Sequence, residues 1–265
     1  GVALFFGISG YVIKSNQKDV VGFFWGRIKR IVPLYYFTTA LFVLATQASV
    51  DFSSLATLFL SSQILTGEKP VYEIGWTLEF EFLFYFSVIG ISLLSERNKT
   101  KIESITTIFF IVLISSLAAF GLVENALYAS CFFLGRMSRT MIVPKAKRFP
   151  SSCILLVFIT MILVASNILV DDPTIRLAIF TLSIPVTLYI FSSLHVRAGF
   201  LSEVVKKLGS LTFGIYLWHM FAIKLIEFLN LPKPLDFAVV VLLTMSLSQF
   251  TYVTIENKFM KRKLL

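Results

Sequence analysis

The sequence predicts an all-α fold, a polytopic transmembrane helix bundle. Three observations carry the prediction: the composition, the length of the apolar runs, and the sidedness of the charges between them. Of 265 residues, 57% are hydrophobic and only 15% charged, whereas a soluble domain carries about a quarter charged residues. Twenty-eight Phe exceed what one globular core needs. The apolar residues form long runs broken by short charged stretches, the pattern of repeated membrane crossings.

Those runs define nine spans: Val2–Ile13, Ile31–Ala48, Ile74–Leu94, Ser104–Leu122, Asn125–Gly135, Ser151–Val170, Thr174–Leu194, Leu208–Leu229 and Leu235–Glu256. A crossing needs about 20 residues, which most of these reach or approach. The Ser- and Thr-containing stretch Phe52–Leu65 is too short for a tenth and reads as an interfacial or re-entrant helix on the outer side.

Charge tests the count. Alternate loops contain Lys14, Lys18, Arg27, Lys29 and Arg30; Arg97, Lys99 and Lys101; Arg136, Arg139, Lys145, Lys147 and Arg148; Arg197, Lys206 and Lys207; and Lys258, Lys261, Arg262 and Lys263. Twenty of the 24 basic residues therefore fall on one side. The other side receives Lys69, Arg176 and Lys233, together with Asp51, Glu68, Glu73, Glu124, Asp171, Asp172 and Asp236. Positive-inside bias places the basic set and the C-terminus in the cytoplasm. The net charge of +9 thus reflects topology and lipid headgroups rather than nucleic acid, which would need a basic face on a soluble domain.

Cys131 and Cys153 lie in separate apolar runs without CxxC spacing and read as small core hydrophobes. The sequence contains no metal-ligand cluster, no glycine-rich phosphate loop and no G-x-S-x-G elbow. By the same alternation Val2 starts on the outer face, and its run reaches only ~20 Å at helical rise. The expectation is that a further helix precedes Gly1 in a ten-span protein.

Ionisable groups at membrane depth are costly and mark candidate sites. Glu81 lies about 10 Å below the outer boundary and His219 about 16 Å above the inner one, so the two could form an acid–base pair or a structural polar contact. Glu79 and Glu81 stand about 200° apart on a helix, which predicts one facing the interior and the other the outer boundary or a wet cleft. Thr77, Phe84 and Tyr85 share the face of Glu81. In Phe5-Phe6-Gly7-Ile8-Ser9-Gly10, small residues let a helix or a ligand approach the backbone. Arg27 and Arg30, three apart in Phe23–Pro33, point the same way on a helix. They suit either a phosphate-bearing ligand or lipid headgroups.

Four passages in order resemble the acyltransferase-3 family of bacterial inner-membrane proteins, which O-acylate lipopolysaccharide, exopolysaccharide and related glycans. Gly1–Ile13 is similar to the G-V-x-x-F-F-x-x-S-G-x-x-I segment, and Phe24–Pro33 to F-x-x-R-x-x-R-I-x-P. Trp76–Tyr85 is similar to W-[ST]-L-x-x-E-x-x-F-Y, and Gly209–His219 to G-x-x-[ST]-[YF]-x-I-Y-L-x-H. Phe132–Gly135 and the closing Ile255-Glu256 are weaker echoes.

The resemblance implies a single ten-helix domain that takes an acyl group, usually acetyl, from acyl-CoA (acetyl-CoA) as co-substrate. The acceptor would be a hydroxyl of a polysaccharide or glycolipid, and the setting the lipid of the bacterial inner membrane. It assigns Arg27 and Arg30 to the donor's phosphates. It makes Glu81 and His219 the catalytic candidates, His219 in a supporting or structural part, and Ser9, Trp76 and Tyr85 substrate-binding candidates. The family's Arg and presumed catalytic His sit on a helix ahead of the G-V-x-x-F-F segment, in keeping with the helix expected before Gly1. A transporter of lipid-linked sugar or polysaccharide is the competing reading, although no internal repeat of the kind transporters carry is evident; an inactive fragment is a third.

Overall fold

Every regular element among the described residues of the computed structural model is helical. The structure describes residues 1–14, 19–47, 70–93, 105–106, 108–110, 112–113, 126–139, 173–193, 199–227, 229 and 232–261. Among these residues eight α-helices follow in order: α1 Val2–Val12, α2 Val20–Thr46, α3 Trp76–Leu93, α4 Ala126–Met137, α5 Pro173–Ser193, α6 Phe200–Glu227, α7 Lys233–Thr251 and α8 Asn257–Lys261. A 3-10 turn, Glu73–Gly75, leads into α3, and a π turn, Tyr252–Glu256, joins α7 to α8.

Four stretches are long and apolar enough to cross a bilayer: Val20–Thr46, Glu73–Leu93, Ser202–Glu227 and Leu235–Phe259. They correspond to the second, third, eighth and ninth predicted spans. Large apolar side chains such as Leu44, Phe86, Phe237, Leu242 and Phe250 stand exposed on them. Water would penalise that surface and hydrocarbon would not. α1, α4 and α5 match the first, fifth and seventh predicted spans within two residues at each end. Of the span Ser104–Leu122 only scattered helical residues are described, while Ser151–Val170 and Phe52–Leu65 lie outside the described residues.

Two helices begin well before their apolar runs. α2 starts at Val20 rather than Ile31, so Arg27, Lys29 and Arg30 are helical and not part of a loop. Pro33 is inside this helix; it removes one backbone donor, a loss that membrane helices tolerate. α6 starts at Phe200 rather than Leu208 and carries exposed Lys206 and Lys207 on its first turns. Two other basic residues depart from the expected loop role. Arg136 is buried, with its guanidinium 5.9 Å from the centre of the Phe84 ring. Arg139 donates to the Tyr11 and Val12 carbonyls at 3.0 and 2.9 Å. It thereby satisfies oxygens that the end of α1 leaves without helical partners.

The chain forms two compact units. The first comprises Gly1–Val20 and Phe80–Val196, the second Val21–Glu79 and Arg197–Leu265. In the first unit α1 packs on α4 and both pack on α5. The glycines of the Phe5–Gly10 stretch serve helix packing. A Cβ on Gly10 would meet the Phe132 carbonyl oxygen, and one on Gly135 the Gly7 carbonyl oxygen. No L side chain other than a missing one allows backbones that close. Phe132 stacks between Phe6 and Phe84, with ring centres 4.1 and 4.6 Å away. Cys131 is buried, its sulfur 3.7 Å from Thr181 Oγ1, in keeping with a small core residue; Cys153 lies outside the described residues.

The second unit brings together α2, α6, α7, α8 and the chain from Pro70 to Glu79. α6 packs on α7 through buried Trp218, whose indole N–H donates to Thr251 Oγ1 at 3.1 Å. Phe37 of α2 meets the same indole edge-on at 6.2 Å.

Candidate functional site

The candidate residues divide between the units, and each unit is described on its own terms. In the first, Ser9 sits half-buried on α1, and its backbone carbonyl accepts the Ile13 amide at 3.1 Å. Glu81 and Tyr85, one turn apart on α3, are brought together: the Tyr85 hydroxyl donates to Glu81 Oε1. Both are buried, at 5% and 1% exposure. A buried carboxylate that accepts such a bond is oriented and partly compensated for leaving water.

Glu79 corrects one expectation. The two-residue offset predicted that one of the pair would face the boundary or a cleft, yet Glu79 and Glu81 are both buried, at 7% and 5%. Glu79 closes the second unit and Phe80 opens the first, so successive turns of α3 belong to different packing environments.

In the second unit Trp76 is the half-buried first residue of α3. The 3-10 turn before it places Thr77 so that its hydroxyl donates to the Ile74 carbonyl at 3.0 Å. The Thr77 oxygen in turn accepts from the Tyr216 hydroxyl at 2.9 Å, which ties α6 to the start of α3. Tyr72, at 1% exposure, donates to the Leu217 carbonyl and adds a second tie at the neighbouring residue of α6.

His219 is half-buried on α6, with Nδ1 2.5 Å from the Tyr216 carbonyl. A carbonyl can only accept, so Nδ1 carries the hydrogen. In the neutral ring this leaves the Nε2 lone pair as the proton acceptor. The ring also lies 5.6 Å from that of Tyr216. The pairing of His219 with Glu81 suggested by sequence spacing joins residues of different units, Glu81 in the first and His219 in the second.

Arg27 and Arg30 lie one turn apart on α2, both half-buried. The Arg27 guanidinium sits 5.2 Å from the centre of the Phe23 ring, a cation–π contact that supports its orientation. Arg30 forms no hydrogen bond or ion pair among the described residues. Among the described residues no group of three or more His, Cys, Asp and Glu could hold a metal ion.

Sequence reasoning passed over Tyr72, Tyr216 and Arg136, and gave Glu256 little weight. Tyr216 could have been noticed as a hydroxyl one turn before His219. For Tyr72, Arg136 and the π turn that carries Glu256 the linear sequence offers no signal.

Known proteins agree with the resemblance. The acyltransferase-3 family, described as an acyltransferase domain, matches residues 1–253. The chain is similar to the "Exopolysaccharide production protein ExoZ" of Rhizobium meliloti (strain 1021), with 36% identity over 112 residues. That match covers 37% of the chain and 35% of the Rhizobium protein. It is also similar to the "Putative acetyltransferase ORF330" of Acidianus two-tailed virus, with 24% identity over 239 residues, 83% of the chain and 72% of the viral protein. No solved structure matches the chain. With several long apolar helices and a family match across nearly its whole length, the chain is a multi-pass membrane protein and belongs to the acyltransferase-3 family of acyl-transferring enzymes.

Proposed function

We propose that the protein moves an acyl group, acetyl by preference, from acyl-CoA on the cytoplasmic side to a hydroxyl of a cell-surface polysaccharide or glycolipid. The observation that carries the donor half is the Arg27–Arg30 pair. Two guanidiniums share one helical face and Arg30 has no hydrogen bond or ion pair among the described residues, which suits a ligand rich in phosphate. Charge sidedness supports the cytoplasm as the side of that pair and of the C-terminus. The acceptor class draws support from the printed name of the Rhizobium relative. The bacterial inner membrane is the setting in this reading.

In this reaction the acceptor oxygen attacks the thioester carbonyl carbon, its proton passes to a base, the C–S bond breaks, and coenzyme A leaves as thiolate and takes up a proton. Glu81 and His219 are the acid–base candidates of this chain. The tautomer held by the Tyr216 carbonyl leaves Nε2 of His219 to accept a proton. The bond from Tyr85 suits Glu81 to holding a hydroxyl-bearing group in place. Ser9, Trp76 and Tyr85 are the acceptor-binding candidates in this reading. Low water activity at membrane depth favours transfer over hydrolysis.

The test is to supply radiolabelled acetyl-CoA to membranes bearing the full-length protein and to follow label into polysaccharide. Arg30→Ala should raise the KM for acetyl-CoA about tenfold or more, the loss of one charge-assisted contact. Glu81→Ala should depress kcat. Wild-type kinetics in both variants would remove the assigned roles, and glycan counterflow without label transfer would point to transport instead.

A further inference from the structure

Tyr216 holds two groups at once. Its backbone carbonyl accepts from Nδ1 of His219 at 2.5 Å, and its ring lies 5.6 Å from the imidazole. Its side-chain hydroxyl reaches α3, donating to Thr77 Oγ1 at 2.9 Å with the Ile74 carbonyl 3.4 Å away. All four residues belong to the second unit.

The far end of this tie is itself fixed. Thr77 is 1% exposed, and its hydroxyl donates to the Ile74 carbonyl at 3.0 Å. Its only proton is thereby committed, which leaves the oxygen to accept from Tyr216. The 3-10 turn before it is closed by the Gly75 amide on the Tyr72 carbonyl at 2.8 Å. Tyr35 of α2 rests its hydroxyl against Gly75, where a Cβ would collide with it. The turn is therefore pinned by α2 as well as by α6.

The imidazole at the other end is half-buried, and its Nε2 makes no hydrogen bond among the described residues. One nitrogen is held and the other is open, as a proton acceptor requires. Such a lone pair has to meet the hydroxyl it deprotonates within about 2.6–3.2 Å. A ring bonded to its own helix moves with that helix, so its reach depends on what fixes α6. Trp76, an acceptor-binding candidate, is the chain neighbour of Thr77.

We propose that Tyr216 and Thr77 are positioning residues for acyl transfer. Their hydroxyl pair sets the register of α6 against the start of α3, and with it the distance from His219 Nε2 to an acceptor hydroxyl held beside Trp76. The proposal rests on the reading of His219 as an acid–base group. Tyr72, bonded to the Leu217 carbonyl, keeps the two segments together when Tyr216 loses its hydroxyl, so the loss is read in rate rather than in folding.

The experiment measures kcat and KM for acetyl-CoA per folded full-length protein in membranes. The variants are Tyr216→Phe, Thr77→Val, Thr77→Ser, Thr251→Val, His219→Gln and the double variant Tyr216→Phe/His219→Gln. Tyr216→Phe keeps the carbonyl and the ring and removes the tie. It should lower kcat about tenfold or more while KM stays within about twofold, since misplacement of a reacting group costs rate and not donor binding. Thr77→Val should do the same, and Thr77→Ser, which keeps the hydroxyl, should stay near wild type. Thr251→Val cuts the Trp218 bond to α7 instead and should leave kcat within about twofold. On the His219→Gln background Tyr216→Phe should add nothing, because it acts through that ring.

Wild-type kcat in Tyr216→Phe overturns the proposal, as does the same fall repeated on the His219→Gln background or an equal fall in Thr251→Val. Should Tyr216→Phe fail to accumulate, Thr77→Val carries the comparison, and wild-type kcat there overturns it. If His219→Gln itself leaves kcat unchanged, the reading of His219 and this proposal fall together; if only Tyr216→Phe is silent, His219 keeps its role.

Discussion

The two units are held together by different physics. In the first, α1 and α4 touch through glycines at 7, 10 and 135 and through stacked Phe rings, with Phe110 and Phe133 4.9 Å apart as a further pair. In the second, helices are tied by hydroxyl and indole donors: Tyr72 to Leu217, Tyr216 to Thr77, Trp218 to Thr251. Lipid tails are as apolar as Leu, so hydrophobicity does not drive one membrane helix onto another; close van der Waals packing and interhelical hydrogen bonds do. The first unit uses mainly the former and the second mainly the latter. Shape tolerates no added atom, whereas a network of single hydrogen bonds can lose a member and persist. It also leaves polar atoms at hand for chemistry.

That difference can be broken experimentally, and the largest effect belongs to the glycines. Gly10→Val places atoms on the Phe132 carbonyl and should cost about 3 kcal/mol or more, at or beyond the upper end of ordinary overpacking. Loss of the folded protein on gel filtration in detergent is the expected readout, and normal accumulation would show that α1 and α4 can separate. Thr251→Val strips the acceptor from the buried Trp218 indole. A loss of about 0.6–1.7 kcal/mol is expected, the range for interhelical hydrogen bonds in membranes, seen as a lowered midpoint of thermal unfolding with acyl transfer retained. Lys224→Ala removes the Lys224–Glu227 pair, 3.0 Å long and largely exposed. Its midpoint should stay within error of wild type, since exposed pairs contribute about 0–1 kcal/mol. A Lys224 effect larger than that of Thr251→Val would reverse the ranking of forces described here.

The same contrast governs how far the sequence could be read. The apolar runs announce α1, α3, α4 and α5 to within two residues at each end because hydrocarbon demands uninterrupted apolar segments. They misplace the start of α2 and α6, where the helix continues through charged turns such as Val20–Arg30 that hydropathy treats as a break. The Glu81–Tyr85 face was legible from helical spacing and is present in the structure. The prediction of separate fates for Glu79 and Glu81 failed because spacing gives the direction of a side chain and not what surrounds it.

Composition and charge order by themselves determined the all-α membrane architecture, and the ordered motifs determined the family, since both are written in linear runs. Tertiary structure alone decided what each special residue touches. Gly10 meets a backbone carbonyl rather than a ligand, and Arg139 caps a helix instead of marking a loop. The physical reason is range. Hydropathy and helical spacing act over a few consecutive residues, whereas these contacts join positions more than a hundred apart, and only packing brings them within reach.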